Sequence, residues 1–101
     1  MRRLDLAPRV IDDLREMRAW QTQYGSGDPG RRRADKIVQA IEALVNHPCR
    51  YPIGPRAGMR QMIVERHAVV YRVAPDTGDN RTAGDVLVVR VFGPGQQRDR
   101  L

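Results

Sequence analysis

The sequence predicts a small α+β domain of two layers, in which an N-terminal helical hairpin packs on one face of a mainly antiparallel β-sheet. Two observations support this fold class. Apolar residues recur every three to four positions in the first half of the chain, as in amphipathic helices, and form strand-like runs in the second half. Both halves therefore have an apolar face, and two packed layers bury both. The 101 residues suffice for one domain, 1–101, with a polar C-terminal tail at 93–101.

The first half begins with a short strand over residues 2–6 and continues into two helices. Pro8 occupies a favoured first helical position, and Asp28 followed by Pro29 is typical of a second helix start after the glycine-containing turn at 24–27. The buried stripe predicted for the first helix is Val10, Leu14, Met17 and, less regularly, Ile11 and Trp20. The stripe predicted for the second helix is Ala34, Ile37, Val38, Ile41, Leu44 and Val45. The short turn between them predicts an antiparallel helical hairpin.

The second half predicts three strands. Residues 60–65 and 68–73 are rich in β-forming residues and only about two residues apart, which predicts a tight antiparallel hairpin. Residues 74–85 are nearly all turn formers without a large apolar side chain, so we expect this loop to be the segment most prone to disorder. The run 86–92 is the most apolar, as expected of a central strand beside the first one. The predicted order is β-α-α-β-β-β.

Alternation along the last strand predicts which of its side chains are buried. One face would carry Val86, Val88, Arg90 and Phe92, and the other would carry Leu87, Val89 and Val91. The second set is entirely aliphatic, so we expect it to face the helices. Arg90 would then project from the opposite face, where neighbouring basic side chains could bind an anion. A solvated sheet face is the plainer alternative.

Arginine dominates the charge of the chain. There are 18 Lys and Arg residues against 12 Asp and Glu, which gives a net charge of +6, and Lys36 is the only lysine. Guanidinium groups suit bidentate contacts to phosphate or carboxylate, so the composition favours an acidic partner. A coding bias towards arginine is an alternative explanation. Both explanations apply to the three arginines at 31–33, which oppose the helix dipole near the start of the second helix.

Few residues are available for catalysis or metal binding. The only serine lies in the predicted turn at 24–27, and the chain has two histidines and one cysteine, Cys49, too few for a structural zinc site. We therefore predict no metal and no cofactor. Cys49 is typical of a small residue at the edge of the core. The first-helix carboxylates Asp12, Asp13 and Glu16 are predicted to lie on a solvated face near arginines.

The same composition predicts the compartment. A single cysteine excludes an intrachain disulfide, and no apolar run reaches the length of a membrane span or of a signal peptide. We therefore expect a cytoplasmic protein that does not associate with a membrane.

Three segments of the second half resemble a known superfamily. They are the glycine–arginine strand entry at 58–60, His-Ala-Val-Val-Tyr-Arg-Val at 67–73 and Val-Leu-Val-Val-Arg-Val at 86–91. With two helices ahead of them, over nearly the whole chain, these segments resemble the ParE/RelE superfamily of type II toxin–antitoxin toxins. The loop at 74–85 is longer than is usual in that superfamily.

The resemblance implies one of two activities. RelE-like toxins cleave messenger RNA on the ribosome with cationic residues and a tyrosine, or with a glutamate, a histidine and a tyrosine, whereas ParE-like toxins poison DNA gyrase. This chain has Ala68 where RelE-like toxins have an arginine, no lysine in 60–65 and no tyrosine in its tail. Similarity to the ParE branch is therefore favoured, and no catalytic residue is predicted. In the ribonuclease alternative, the catalytic candidates are Arg60, His67, Arg90 and Arg98.

Within that alternative, His67 is the one candidate base. Its predicted position in the turn between two strands favours a surface residue.

Similarity to ParE implies a protein that acts by binding. Its partners would be DNA gyrase and an acidic cognate antitoxin, with a heterotetramer of toxin and antitoxin as the expected assembly. In the ribonuclease alternative the partners would be the ribosome and messenger RNA. The predicted toxin-activity surface is Arg60, Arg90, Gln96, Gln97 and Arg98. The predicted antitoxin-binding residues are Leu14, Met17, Trp20, Ile37 and Ile41. A third alternative is a basic interaction module without toxin activity.

Overall fold

A computed structural model of the chain describes residues 2–23, 27–54 and 56–94, and gives only the backbone for 20–23 and 27–30. Its elements are β1 (Leu4–Leu6), α1 (Pro8–Gln23), α2 (Gly27–Ala43), β2 (Arg60–Val64), β3 (His67–Ala74) and β4 (Asp85–Phe92). Both helices pack on one four-stranded sheet. The predicted two-layer α+β fold is therefore confirmed. Within the described ranges, no helix has the length and apolar character needed to cross a membrane.

The sheet has the strand order β1-β4-β3-β2. β4 pairs in parallel with β1 and antiparallel with β3, which confirms the prediction that the last strand lies inside the sheet beside the first. β1 is short, and its pairing with β4 ends at Val88. Beyond Val88, no described strand covers that side of β4.

The two helices bury one stripe each, close to the prediction. The buried apolar side chains of the helices are Val10, Met17, Ala34, Ile37 and Ile41, and Leu44 is buried directly after α2. Ile11 is a correction, because it is 44% exposed while its neighbour Val10 is fully buried. Successive helical residues point about 100° apart, so only one of the two can face the sheet. The side chain of Trp20 lies outside the described part of the chain.

The burial of β4 departs from the predicted alternation. Val91 is buried in the core as predicted, but Leu87 is 37% exposed and Val89 is only half-buried. Val86 and Val88, predicted on the opposite face, are instead buried against the helices. The predicted core face of this strand is therefore wrong for two of its three residues.

A β-bulge in β4 explains the error. Val88 lies opposite Tyr71, but the next residue of β3, Val70, lies opposite Arg90. The extra residue is Val89, and it reverses the alternation of side chains between the two faces. Val70 belongs to a small apolar cluster on the face away from the helices, so the predicted placement of Arg90 on that face agrees with the strand register.

The loop between β3 and β4 is held by polar contacts. Its backbone oxygens at Asn80, Ala83 and Gly84 accept hydrogen bonds from the Arg2 side chain. At Gly84 a Cβ atom would come within 2.0 Å of the Ala74 carbonyl oxygen, so this close approach requires glycine. The expectation that the loop is disordered is wrong. Its composition shows that large apolar anchors are missing, but it does not show that the distant Arg2 side chain binds the backbone of the loop.

Candidate functional site

The predicted activity residue Arg60 joins two loops at one end of the sheet. Its Nε lies 2.8 Å from Asp76 Oδ2 and its Nη2 lies 2.9 Å from Asp76 Oδ1, a bidentate ion pair. Its Nη1 donates to the backbone oxygens of Cys49 and Tyr51 at 3.2 and 2.6 Å. The side chain is only 12% exposed. All three of its nitrogens therefore bind groups of the chain itself.

Further hydrogen bonds close the same region. Asn80 Oδ1 accepts from the backbone N–H of Cys49 at 2.7 Å, and the Tyr71 hydroxyl donates to the Pro48 carbonyl oxygen at 2.7 Å. Arg2 also donates to the backbone oxygen of Val45. We call this region, made of Arg2, residues 45–51, Arg60, Tyr71 and residues 75–84, the clamped end.

Hydrogen bonding and burial shift the pKa values of three side chains at the clamped end. Hydrogen bonds from Arg60 lower the pKa of Asp76, whereas burial raises the pKa of Cys49 and of Tyr71. At neutral pH the arginine–aspartate pair is charged, and the thiol and phenol are neutral. Cys49 packs against the core, as predicted for a residue at its edge, and is not an activated nucleophile.

The second predicted activity residue, Arg90, is paired with a carboxylate of α1 instead of a loop carboxylate. Its Nε and Nη2 donate to Asp13 at 3.0 and 3.4 Å, and the backbone N–H of Val91 donates to the same carboxylate at 3.0 Å. Arg9 Nε lies 3.4 Å from Asp13 Oδ1. The Arg90 guanidinium carbon also lies 4.4 Å from the centre of the Phe92 ring. Arg90 thus connects the open edge of β4 to α1.

The expectation that all three α1 carboxylates are solvated is wrong for Asp13. Its side chain is only 4% exposed, whereas Asp12 and Glu16 are exposed as predicted. The sequence contains a signal for this burial, since Asp13 lies three residues after Val10 and four before Met17, on the buried face of the helix. A carboxylate on such a face requires a cationic or hydrogen-bonding partner.

An open cleft of about 650 Å³ lies beside the Asp13–Arg90 pair. Its walls come from α1, the start of α2, the β2–β3 turn and the end of β4. Met17 and Val91 contribute apolar surface to it. Charged residues from three separate segments, Glu16, Arg33, Glu65 and Arg66, also line it. We call the cleft, together with the β2–β3 turn and the end of β4, the open end.

The charges of the open end are only partly paired. Glu65 Oε1 lies 3.5 Å from Lys36 Nζ, and Asp13 is paired with Arg90. Within the described residues, Arg33, Arg66 and Glu16 have no ion-pair partner, which leaves two cations against one anion. Sequence reasoning did not bring Arg33 and Arg66 together, because only the packing of α2 places its start beside the β2–β3 turn.

The β2–β3 turn has an unusual backbone for its residues. Glu65 and Arg66 both have positive φ angles, 48° and 64°, as in the two-residue turns that favour asparagine and glycine. His67, which follows, is 8% exposed, and its Nδ1 lies 2.7 Å from the Glu65 carbonyl oxygen. The expectation of a surface histidine is therefore wrong. His67 begins β3 and closes the turn instead of facing solvent.

The structure places the predicted antitoxin-binding residues mostly in the core. Met17, Ile37 and Ile41 are buried between the helices and the sheet, and Leu14 is half-buried. Of these, only Met17 lines the cleft. The predicted activity residues Gln96, Gln97 and Arg98 lie outside the described part of the chain. Among the described residues, no group of three or more His, Cys, Asp or Glu side chains could hold a metal ion.

Comparisons with known proteins agree with this architecture. The family model described as the ParE toxin of the type II toxin–antitoxin system parDE matches residues 4–97. A solved structure entitled "Chromosomal ParDE TA system from P. aeruginosa" shares the fold with a TM-score of 0.73 at 13% sequence identity. The similarity covers 93% of this chain and 97% of that one. A comparison with curated proteins finds no match. Since the family model spans nearly the whole chain, the protein belongs to the ParE toxin family of type II toxin–antitoxin systems.

Proposed function

We propose that this toxin inhibits bacterial growth by binding and poisoning DNA gyrase, and that a cognate antitoxin neutralises it by binding at the open end. Membership of the ParE family supports a toxin with an antitoxin partner. The observation that favours gyrase over messenger RNA is the separation of Arg60 from His67, two of the residues that a ribonuclease would need.

Cleavage of RNA by its 2′-hydroxyl needs a base and cations around one phosphate. Arg60 lies four residues along β2 from Val64, which pairs with His67, so Arg60 and His67 are about 13 Å apart along the sheet. Both side chains are engaged within the chain, and Arg90 is paired with Asp13. Among the described candidates, Arg60 and the one candidate base, His67, are therefore too far apart along the sheet to meet at one phosphate. A toxin that acts by binding a protein has no such requirement.

The open end offers a surface suited to an acidic antitoxin segment. Arg33 and Arg66 provide two cations without partners in the described chain, and Met17 and Val91 provide apolar surface between the walls. The net charge of +6 attracts an acidic chain over a longer range. The occupant we propose is therefore an antitoxin segment that carries carboxylates beside apolar side chains.

The proposed target is tested by expressing the toxin in bacteria without antitoxin and assaying the purified full-length protein in two reactions. We expect growth arrest, inhibition of gyrase supercoiling with accumulation of cleaved DNA, and intact messenger RNA on ribosomes. Cuts in ribosome-bound messenger RNA at codon spacing, with normal supercoiling, would overturn the gyrase proposal in favour of the ribonuclease. Normal growth with neither lesion would leave a basic interaction module.

The proposed antitoxin site is tested by the double variant R33E/R66E against the control R31E/R32E. Both variants change the net charge equally, and both alter exposed arginines, but the control residues do not line the cleft. We expect R33E/R66E to weaken binding of the cognate antitoxin by about 100-fold, as for two close charge pairs, and the control by less than about fivefold. Equal weakening in both variants would show that only net charge matters and would exclude the cleft.

A further inference from the structure

We infer that Asp13 is a positioning residue for the toxin activity, because it orients the predicted activity residue Arg90 and holds the end of β4 at Val91. This inference rests on the proposed gyrase activity and on the prediction that Arg90 belongs to the toxin-activity surface.

Among the described strands, the last residues of β4 have a neighbour on one side only. β1 stops pairing at Val88, and beyond it the backbone N–H of Val91 donates to Asp13 instead of to a strand carbonyl. Two residues after the bulge at Val89, the carboxylate thus accepts the hydrogen bond that the carbonyl of a neighbouring strand would otherwise accept. A strand end with a bulge and one neighbour could leave the sheet in several directions, and Asp13 selects one.

Arg90 extends the same restraint to the other face of the strand. Its guanidinium contacts Asp13 with two nitrogens and lies over the ring of Phe92, the last residue of β4. Asp13 therefore contacts the backbone of Val91 directly, and it positions the Arg90 guanidinium that packs over Phe92. Gly93 and Pro94 come next and line the cleft.

The chemistry of the pair suits orientation more than stability. A buried ion pair gains little over well-packed apolar side chains, because desolvation of both charges offsets their attraction. A bidentate pair with an additional N–H donor is, however, strongly directional. An apolar side chain at position 13 could occupy the same buried position on α1, but it would not orient Arg90 or Val91.

The test compares D13N with D12N in the full-length toxin. Asparagine keeps an oxygen that can accept from Val91 but removes the charge that holds Arg90. Asp12 is exposed on the same helix, so D12N makes the same change in net charge without touching the pair. Two quantities are measured, amide hydrogen exchange along the chain and the concentration of toxin that inhibits gyrase supercoiling by half.

For D13N we expect amide exchange at residues 89–93 to accelerate by about tenfold or more, with unchanged exchange in β2 and α2, because the opening is local. Gyrase inhibition should weaken by about tenfold, the loss that ~1.4 kcal/mol produces. D12N should match the wild type in both measurements. R90K, which keeps a cation within reach of Asp13 but loses the bidentate contact, should lie between D13N and the wild type.

Three outcomes would overturn the inference: exchange in D13N that accelerates evenly over the whole chain, local acceleration with full gyrase inhibition, or an R90K variant that behaves as the wild type. If D13N does not fold, R90K carries the test. If the wild-type toxin does not inhibit gyrase, the proposed function fails, and the pattern of exchange still decides whether Asp13 restrains the end of β4.

Discussion

The two ends of the sheet contain the same kind of ion pair with different surroundings. At the clamped end, Arg60 joins two loops through Asp76 and the backbone oxygens of Cys49 and Tyr51, and every nitrogen of its guanidinium is used. At the open end, Asp13 and Arg90 stand beside a cleft that has two cations without partners in the described chain and a turn with two positive φ angles. We interpret the first end as built for stability and the second as built for binding. The presence of an arginine in a strand does not by itself show whether the residue stabilises the fold or takes part in binding.

The largest expected effect is at the clamped end. The substitution R60M leaves the Asp76 carboxylate and two backbone oxygens without their partner in a partly buried site, and we expect it to lower the free energy of unfolding by about 2–3 kcal/mol. Urea denaturation of R60M and of R72M measures this. Arg72 is exposed in β3, so R72M should change stability by less than about 0.5 kcal/mol. An equally small change in the free energy of unfolding of R60M would contradict a stabilising role of Arg60 at the clamped end.

A second prediction tests whether the clamp includes the core tyrosine. In Y71F the ring remains packed, but the Pro48 carbonyl oxygen loses the hydroxyl that donates to it. We expect a loss of about 1–2 kcal/mol in the free energy of unfolding, because a buried acceptor is left unsatisfied. Y51F is the control, since the structure gives no hydrogen bond for that hydroxyl among the described residues. Equal stability of Y71F and Y51F would remove Tyr71 from the clamped end.

At the open end we expect a substitution to raise stability while impairing binding. R66G relieves the left-handed backbone at Arg66 and should increase the free energy of unfolding by about 0.5 kcal/mol, after the greater entropy of glycine in the unfolded chain is subtracted. Antitoxin affinity should fall at the same time. R72G, in ordinary strand backbone, should instead destabilise the protein. A destabilised R66G would mean that Arg66 supports the fold rather than the cleft.

The smallest effect is expected in acid. Because the pKa of Asp76 is lowered in the folded state, the pair contributes stability above the ordinary aspartate pKa, and that stability is lost as the pH falls through the lowered value. The free energy of unfolding of the wild type should therefore fall over this acidic window more steeply than that of D76N. Parallel pH profiles for the two proteins would show that Asp76 does not contribute through its charge.

Much of the architecture was predictable because it follows from local patterns. The helical stripes, the hairpin between β2 and β3 and the inner position of β4 depend on residues close together in the sequence or on one long apolar run. The face of β4 was not predictable, because the bulge at Val89 reverses the alternation and is visible only in the pairing with β3. His67 was misplaced because a turn prediction does not show which way the following side chain points.

The candidate site was predicted less well than the fold. Arg60 and Arg90 were singled out as exposed cations, yet each is paired with an aspartate far away in the sequence. Asp13 could have been found from its place on the buried face of α1. Arg33 and Arg66 could not, since no local pattern relates the start of one helix to a turn between two distant strands.

The sequence by itself determined the fold class, the order of the elements and the resemblance to the ParE/RelE superfamily. The periodicity of apolar residues and the strand motifs both depend on residues that are close together in the sequence. Only the tertiary structure decided which arginines form ion pairs within the chain and which lie at the cleft without an ion-pair partner among the described residues. The physical reason is that a charge acquires its role from its partners, and those partners are brought to it from elsewhere in the chain by the packing of the helices on the sheet.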